Sequence, residues 1–381
     1  MPQVIQRSRL RAQVARLLEQ FRGVLLVGPR QVGKTTLARS FVAADSPNYF
    51  DLEDAVVAAQ FRAPKELLSA LTGLVVIDEV QHAPGLFPQL RVLMDREAKP
   101  AKFLLLGSAS MALLRQAGES LAGRVAVVEV GGFDLEEVGV GRTRALWFRG
   151  GAPLSFLASD DEQSLEWRTR FIEVFLARDL PALGVNVPAP AMQRFWMMLT
   201  HYHGQTWNAA DPARSLGVNE STVRRYLDWL TQTDMVRQLQ PWHENLGKRQ
   251  VKSPKIYFRD TGLLHALAGI RNEAELVRSP RLGASWEGFA LEQVLRLAQP
   301  DQAYFWATHA GAELDLLMFK YGKRIGVEFK YMDAPSLTPS MRIAMDDLRL
   351  DALYVVYPGN RRYRLADRIE AAPLAEFVAP R

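Results

Sequence analysis

The spacing of apolar and polar positions divides this chain into parts with different patterns. In the first third, short unbroken apolar runs such as "VLLV" and "LVVI" alternate with segments whose apolar residues recur at helical spacing. Unbroken runs predict strands buried on both faces, and their alternation with helices predicts a parallel sheet. We therefore expect an α/β fold whose first third is built around a parallel sheet.

The middle third is predicted to be largely helical. The stretch "ARSLGVNESTVRRYLDWL" predicts a helix, a turn at Gly217, a cap at Asn219 and a second helix, which is a helix-turn-helix pattern. The start of the second helix is the part that meets bases and phosphates in DNA readers, and here it carries Ser221, Thr222, Arg224 and Arg225. Such a unit can equally serve as a packing module, so both alternatives stay open.

The last third returns to strands, now with charged residues inside apolar segments. A helix around Glu287 precedes strands predicted in "AYFWAT", "AELDLLMF" and "RIGVEFKY", which are followed by a helix and a final strand, "ALYVVYP". Alternation places Glu328 and Lys330 on one face of their strand, and Asp315 can point to the same place from the neighbouring strand. Charges inside such strands are costly unless they are paired or bind a metal.

Composition narrows the class of protein. The 381 residues are enough for two or three domains, and 48% hydrophobic with 23% charged residues is an ordinary globular balance. No apolar run approaches the roughly 18 residues that span a bilayer, and we expect no secretory signal, no membrane association and a cytoplasmic location. The chain has no cysteine, which excludes thiolate metal sites, so any metal must bind oxygen or imidazole.

The charge is concentrated in one tract. The formal net charge of +5 would suit nucleic acid without requiring it. Between positions 237 and 259, Glu244 is the single acidic residue. The basic residues of this tract are Arg237, Lys248, Arg249, Lys252, Lys255 and Arg259. This tract follows the helix-turn-helix pattern, where a wing could lie.

The segment "GVLLVGPRQVGKTTLARSF" contains the pattern G-x-x-x-x-G-K-T between a predicted strand and a predicted helix. This context defines a phosphate-binding loop, in which backbone N–H groups and the helix N-terminus surround phosphate oxygens. Lys34 is predicted to reach the β- and γ-phosphates and Thr35 to hold magnesium. The predicted nucleotide-binding residues are Gly28, Pro29, Arg30, Gln31, Val32, Gly33, Lys34, Thr35 and Thr36.

Two further apolar runs supply the rest of a nucleotide site. "GLVVIDEV" ends in Asp78 and Glu79, which predicts Asp78 in the magnesium shell and Glu79 orienting the attacking water. "KFLLLGSAS" places Ser108 where a sensor of the γ-phosphate would lie, although a serine there can also simply cap the strand.

Two arginines are candidates for stabilising the transferred phosphoryl group. Arg124 precedes a fourth predicted strand and could act in its own subunit or in the next one, or it could be an ordinary surface arginine. Arg30, inside the phosphate loop, is a weaker candidate. If Arg124 acts between subunits, the protein must assemble as a homo-oligomer.

Motifs spread over the chain add a resemblance. The segments "GPRQVGKTT", "VVIDEVQHAP", "LLLGSAS", "ESLAGRV", "LWFRGGAP", "RDLPALG" and "KSPKIYFRDTGLL" closely resemble those of a large family of bacterial and archaeal AAA-type ATP-binding proteins. The resemblance covers nearly the whole chain and implies three domains. They are an AAA-type P-loop NTPase domain over 1–145, a helical and winged-helix region over 146–275, and a restriction-endonuclease-like α/β domain over 280–381.

This resemblance gives the charged residues of the last third a possible task. Asp315 and Glu328 could bind magnesium, and Lys330 could orient water or stabilise the pentavalent phosphate. Glu287, at a position that matches the superfamily pattern, would complete the catalytic set from its helix. The alternative is an ion-paired relic, in which Lys330 neutralises Asp315 and Glu328 and no metal binds.

Together these features predict an ATPase that uses ATP and Mg²⁺ and couples its nucleotide state to a DNA-binding half, which could also cleave DNA with the help of a metal. The alternative is an ATP-gated binding switch for DNA or a protein partner, with an inactive nuclease-like domain. A stand-alone metabolic kinase would fit the phosphate loop but would leave the last two hundred residues without a purpose.

Overall fold

The computed structural model describes residues 5–83, 85–97, 101–108, 111–244, 247 and 250–378, without the side chains of residues 111, 112, 377 and 378. Lys248 and Arg249 of the basic tract lie outside the described residues. The chain divides into two compact units, the first formed by Met1–Gly132 with Gln232–Asp234 and the second by Phe133–Thr231 with Met235–Arg381. Domain boundaries near 146 and 280 remain predictions.

The first unit alternates strands with helices. In chain order its elements are α1 (Ser8–Gln20), β1 (Gly23–Gly28), α2 (Lys34–Arg39), β2 (Tyr49–Asp51), α3 (Ala55–Gln60), α4 (Pro64–Ser69), β3 (Gly73–Asp78), a 3₁₀ turn (Val80–His82), α5 (Leu86–Met94), β4 (Ala101–Ser108), α6 (Met111–Leu121) and β5 (Val125–Glu129).

These five strands form one sheet in the order β2-β3-β4-β1-β5, and every neighbouring pair is parallel. Both faces of the sheet are covered. Leu25 and Leu105 pack into one apolar cluster, whereas their neighbours Leu26 and Leu106 pack into another. Burial on both faces explains the unbroken apolar runs of the sequence, and the predicted parallel α/β sheet is confirmed.

The second unit begins with helices. Its first elements are α7 (Leu135–Val138), a 3₁₀ turn (Val140–Arg142), α8 (Thr143–Arg149), α9 (Pro153–Phe156), α10 (Asp161–Val174), a π-helical turn (Phe175–Asp179), α11 (Leu180–Ala182), α12 (Ala189–Leu199), a 3₁₀ turn (Thr200–Tyr202), β6 (Gln205–Thr206), α13 (Ala210–Leu216), α14 (Glu220–Gln232), β7 (Val236–Leu239) and β8 (Lys255–Phe258).

Helices α13 and α14 lie where the sequence predicts a helix-turn-helix. Gly217 ends α13 in the left-handed conformation, with φ of 67°. The Asn219 side chain accepts a hydrogen bond from the Thr222 N–H at 2.8 Å and so caps α14. An antiparallel sheet in the order β6-β8-β7 accompanies these helices. The segment after β7 forms bridges from Pro241 to Phe305 of β9 and from Gln250 to Thr308, just after β9.

The remaining elements of the second unit surround a mixed sheet. They are α15 (Thr261–Leu267), α16 (Glu273–Arg278), α17 (Leu282–Ala298), β9 (Gln302–Ala307), β10 (Glu313–Lys320), β11 (Lys323–Phe329), α18 (Pro339–Asp347), β12 (Ala352–Tyr357), β13 (Tyr363–Ala366), β14 (Ile369–Pro373) and α19 (Leu374–Val378).

The strand order of this sheet is β13-β14-β12-β11-β10-β9. Strands β9, β10 and β11 pair antiparallel, and β12 joins β11 in parallel after the crossover through α18. The prediction that "ALYVVYP" is the final strand is wrong, because β13 and β14 follow it and β14 pairs with β12. Both are short and lie at or near the sheet edge, so their apolar signal in the sequence is weak.

Candidate functional site

The phosphate-binding loop joins β1 to α2 at the carboxyl end of the parallel sheet. At Gly28, an added Cβ would lie 2.0 Å from the Val130 carbonyl oxygen, so only glycine fits beside that backbone. Gly33 has a φ of 93°, a left-handed conformation that glycine adopts without strain, and α2 starts immediately after it. Glycine is therefore favoured at these two positions of the motif for two different structural reasons.

Lys34 is buried, and its ammonium lies against the loop itself. Its Nζ donates hydrogen bonds to the carbonyl oxygens of Gly28, at 2.9 Å, and Pro29, at 2.7 Å. Burial lowers the pKa of Lys34 to about 8, although the carboxylates of Glu79 and Asp78 oppose that shift. The ammonium is thus held at the place where the phosphates of a nucleotide would bind.

Asp78 links the two nucleotide motifs. At the end of β3, its Oδ2 accepts hydrogen bonds from the Thr35 hydroxyl at 2.8 Å and from the Tyr49 hydroxyl at 2.8 Å. A hydroxyl beside a carboxylate is the donor set that holds Mg²⁺ with ATP in P-loop enzymes, so Thr35 and Asp78 fit that metal. Tyr49 lies on β2, a three-residue strand without any motif, and was not predicted from the sequence.

Glu79 and Ser108 lie at the same end of the sheet. Glu79 has a φ of 55°, an uncommon left-handed conformation for this residue type, and its carboxylate accepts a hydrogen bond from Gln81. Ser108 is the last residue of β4 and pairs in register with Gly28. Its buried Oγ has no hydrogen-bond partner within the described residues, which suits a group that awaits a ligand.

The structure does not bring Arg124 to the phosphate loop. It precedes β5, whose first residue pairs with Gly23 at the start of β1, whereas the loop follows the end of β1, about 16 Å away along the strand. Its guanidinium forms a bidentate pair with Asp95, at 2.6 and 2.8 Å. Within its own subunit Arg124 therefore lies away from the phosphate loop, and a role in the site of a neighbouring subunit stays a prediction. Arg30 stays in the loop, 3.9 Å from Glu53.

The charged residues of the last third do meet. Asp315 on β10 and Glu328 on β11 are buried, and Lys330 follows β11. Lys330 Nζ lies 2.8 Å from Glu328 Oε2 and 3.8 Å from Asp315 Oδ2, while the Phe329 N–H donates to Asp315 Oδ2 at 3.0 Å. The expected convergence from neighbouring strands is present in the structure.

Two residues that the sequence did not connect with this carboxylate cluster enter it from β8. Lys255 Nζ lies 3.2 Å from Asp315 Oδ1 and 3.5 Å from Glu287 Oε1, and it also contacts the carboxylate of Glu313. The Tyr257 hydroxyl donates to Glu287 Oε1 at 2.6 Å. Both belong to "KSPKIYF", a segment nearly sixty residues before β10, so no local spacing could reveal the contact.

Burial and crowding of charge shift the pKa values in this cluster. Burial, together with the nearby charge of Asp315, raises the pKa of Glu287 to about 7 and that of Glu328 to about 8. Burial alone would raise the pKa of Asp315 too, but the ammonium groups of Lys255 and Lys330 outweigh it and hold that pKa below its usual value. Asp315 is therefore the ionised carboxylate around which the other groups are arranged.

The cluster does not fit a divalent cation as the side chains are arranged. Among the described residues, no group of three or more His, Asp or Glu side chains is placed to hold a metal ion. The Lys255 ammonium contacts Asp315, one of the two carboxylates that a metal would need to bind, and the Lys330 ammonium contacts both Asp315 and Glu328. We therefore derive no metal-dependent step at Asp315 and Glu328.

Much of the basic tract points inward. Arg237 and Arg259 lie 2.5 and 3.7 Å from the carboxylate of Glu292, which is buried on α17, and Arg296 lies 3.9 Å from it. Burial would raise the pKa of Glu292, but these arginines, with Arg237 foremost, lower it to about 2. Of the described basic residues in the tract, Lys252 is exposed, so the described part of the tract offers less surface charge than its sequence suggests.

The start of α14 presents polar side chains to solvent. Ser221, Arg224 and Arg225 are exposed there. Arg224 forms an ion pair of 3.1 Å with Glu220, and the Arg225 guanidinium lies over the Trp229 ring, 5.4 Å from its centroid. These contacts leave both guanidinium groups at the surface of the helix.

The parallel sheet, the phosphate loop and the Thr35–Asp78 pair define a P-loop NTPase. Residues 20–139 match the family described as AAA domain, residues 141–274 match a domain of unknown function (DUF8612), and residues 282–377 match another (DUF4143). The chain is 51% identical, over 376 residues, to the protein from Mycobacterium tuberculosis named Uncharacterized protein Rv2008c and to Mb2031c from Mycobacterium bovis; the match covers 98% of this chain and 85% of each relative. The chain belongs to the family of these two proteins.

Likeness to solved structures is weaker. The Walker-type ATPase PABY2304 of Pyrococcus abyssi is 15% identical with a TM-score of 0.47, over 69% of this chain and 96% of that one. The Bacillus subtilis DNA clamp loader delta protein is 15% identical with a TM-score of 0.27, over 58% and 88%. At these scores neither likeness supports an argument about function. Within the described residues, no helix is both long and apolar enough to cross a membrane.

Proposed function

We propose that this protein hydrolyses ATP with Mg²⁺ in its first unit and that its nucleotide state controls a second unit that contacts DNA without cutting it. The observation that carries the proposal is the hydrogen bond of 2.8 Å between Thr35 and Asp78, beside the buried ammonium of Lys34. These are the groups that hold the metal and the phosphates in P-loop enzymes.

Each remaining residue of the nucleotide site has a task in this proposal. Mg²⁺, held with ATP by Thr35 and Asp78, would neutralise charge on the β- and γ-phosphates. Lys34 moves from its carbonyl partners to the phosphates. Glu79 accepts a hydrogen bond from the attacking water and orients it in line with the γ-phosphate. Ser108 pairs in register with Gly28, and its hydroxyl donates to a γ-phosphate oxygen.

DNA contact is assigned to the start of α14. Helices α13 and α14, followed by β7 and β8, have the order of a winged helix, and the exposed groups at the start of α14 are Ser221, Arg224 and Arg225. Their phosphate contacts would make DNA affinity fall steeply with salt concentration. Binding of a protein partner through the same surface is the alternative outcome.

The absence of cutting rests on Lys255. A nuclease of this architecture would use Asp315 and Glu328 to hold a metal, and Lys255 contacts Asp315 instead. The convergence of Asp315, Glu328 and Lys330 favours the second candidate, a metal-dependent nuclease. The two functions differ in whether strand cleavage depends on Asp315.

The test combines turnover with binding. We expect the wild type to release phosphate from ATP, and both Lys34→Ala and Glu79→Gln to reduce the rate at least about a hundredfold, since Lys34 contacts the phosphates and Glu79 orients the attacking water. Glu79→Gln should still bind ATP, which allows DNA affinity to be measured in the ATP and ADP states. Equal DNA affinity in both states would contradict the coupling.

A pair of variants assigns the DNA surface. Replacing Arg224 and Arg225 together by alanine should weaken DNA binding at least about tenfold and flatten its salt dependence. Arg170→Ala, at an exposed position on α10 where the arginine pairs with Glu166, is the matched control and should change neither. If the control and the double variant bind DNA equally well, α14 is not the contact surface.

A further inference from the structure

We propose that Lys255 is a built-in counter-ion that takes the place of a divalent cation in the carboxylate cluster and excludes that cation from the wild-type protein. The inference rests on the proposed function, because it explains why a nuclease-like arrangement would bind DNA without cleaving it.

Lys255 makes three carboxylate contacts while its side chain is 4% exposed. Its Nζ contacts Asp315, Glu287 and Glu313, and these three carboxylates come from two elements, α17 and β10. A cation enclosed by carboxylates from separate elements has the environment of a bound metal ion. Here the protein itself supplies that cation.

The position of Lys255 is fixed by its backbone. In the antiparallel sheet it pairs in register with Thr206 of β6 on one side and with Leu239 of β7 on the other. The segment before it is tied to β9, where the Val251 N–H donates to the Ala307 carbonyl at 3.0 Å. Because both flanks are held, the ammonium does not depend on a loop movement to enter the cluster.

The ammonium groups of Lys255 and Lys330 leave no place for a divalent cation at Asp315. Lys255 and Lys330 together contact Asp315 through both of its oxygens, at 3.2 and 3.8 Å. A divalent ion bound to Asp315 would lie within a few ångströms of the Lys255 ammonium, in a site with little solvent to screen the repulsion. Lys255 and a metal ion therefore compete for the same carboxylates.

Without the Lys255 ammonium, we expect the carboxylate cluster to bind a divalent cation. Lys255→Met keeps a long side chain without charge, so it removes the ammonium that contacts buried Glu287 and leaves Asp315 with Lys330 as its ammonium partner. A divalent cation can then supply the missing charge. We expect this variant to unfold at a lower temperature than the wild type and to regain stability when Mn²⁺ is added.

The experiment is a titration with Mn²⁺ alone, without nucleotide, on the full chain. Five proteins are compared: the wild type, Lys255→Met, Lys252→Met, Asp315→Asn and Lys255→Met with Asp315→Asn. Lys252 is exposed three positions earlier in the same segment, which makes it the matched control. We expect Lys255→Met to bind Mn²⁺ at least about tenfold more tightly than the wild type and the control do. The added Asp315→Asn should abolish this gain.

Either of two results would overturn the proposal. One is a Mn²⁺ site in the wild type that Asp315→Asn removes; the other is a folded Lys255→Met protein that gains no Mn²⁺ site. If Lys255→Met fails to fold even with Mn²⁺, the comparison of wild type with Asp315→Asn decides by itself whether the metal is excluded. ATP turnover, measured in parallel, separates the two proposals: its absence would contradict the proposed function while leaving the Mn²⁺ result intact.

Discussion

The Tyr49 hydroxyl donates a hydrogen bond of 2.8 Å to Asp78 Oδ2, the same oxygen that accepts from Thr35. One carboxylate oxygen therefore has two hydroxyl partners in the nucleotide site. The tyrosine comes from β2, which pairs with β3 beside Asp78, so the sheet itself sets the orientation of that carboxylate. Asp78 is held in place before any metal arrives.

Removing the Tyr49 hydroxyl should weaken the use of magnesium. In Tyr49→Phe, the Mg²⁺ concentration that gives half-maximal ATP hydrolysis should rise about tenfold, because a hydrogen bond to a charged group contributes roughly 1.5–3 kcal/mol. Tyr321→Phe, at an exposed position, is the control and should leave the titration unchanged. Identical Mg²⁺ curves for wild type and Tyr49→Phe would show that this hydroxyl does not position Asp78.

Gly28→Ala should destabilise the first unit. The added methyl group would lie 2.0 Å from the Val130 carbonyl oxygen, and that backbone is part of the sheet region and cannot yield easily. We expect a loss of about 3 kcal/mol or more in the free energy of unfolding measured with urea. Gly118→Ala, in the exposed part of α6 with no atom within 4 Å of the new Cβ, should stabilise by roughly 0.5–1 kcal/mol. Equal effects at the two glycines would contradict the steric argument.

Glu292→Gln should be strongly destabilising. The substitution leaves the guanidinium groups of Arg237 and Arg259 without the buried carboxylate between them, and breaking such a pair costs about 3–5 kcal/mol. The exposed pair of Glu166 and Arg170 provides the control, since Glu166→Gln should change stability by less than about 1 kcal/mol. Denaturant unfolding measures both variants, and a small effect at Glu292 would mean that the arginines find other partners.

The Glu292 carboxylate also makes the stability of the folded protein depend on pH. The pKa of Glu292 is lowered to about 2 in the folded protein, so its contribution to stability is present above its usual pKa near 4.5 and is lost as the pH falls toward 2. Wild-type protein should therefore lose stability over that range more steeply than Glu292→Gln does.

Glu328 has the opposite dependence on pH. Its folded-state pKa is raised from 4.5 to about 8 by burial and by the charge of Asp315, so the folded protein holds a proton that the unfolded chain releases. Its contribution to stability is complete below pH 4.5 and declines as the pH rises to 8. In Glu328→Gln this slope should disappear, whereas Glu173→Gln at an exposed position should keep it. An unchanged slope in Glu328→Gln would assign the proton to another group.

The nucleotide site was largely predictable because its residues follow apolar strands of one parallel sheet. The carboxyl ends of β1, β3 and β4 meet at one edge, so Lys34, Asp78 and Ser108 had to converge once the strands were recognised. Tyr49 could not be predicted because β2 has only three residues, too few to show a periodic pattern of apolar positions. The alternatives for Arg124 stayed open because a motif gives proximity along the chain, not the end of the sheet on which a residue lies.

The carboxylate cluster was only half predictable. Asp315 and Glu328 are on strands joined by a tight turn, and alternation alone brings them together. Lys255 arrives from a different sheet, through pairing that depends on the tertiary fold, and it changes the chemistry of the cluster. The sequence of the basic tract is likewise typical of surface charge, whereas in the structure Arg237 and Arg259 form ion pairs with the buried Glu292.

The most direct test measures ATP turnover and strand cleavage in the same reactions. Wild type, Glu79→Gln and Asp315→Ala are incubated with ATP, Mg²⁺ or Mn²⁺ and a panel of single-stranded, duplex and branched DNA. We predict that the wild type and Asp315→Ala hydrolyse ATP, that Glu79→Gln does not, and that all three leave every DNA intact. Cleavage by the wild type that disappears in Asp315→Ala would contradict this account and establish the cluster as a working nuclease.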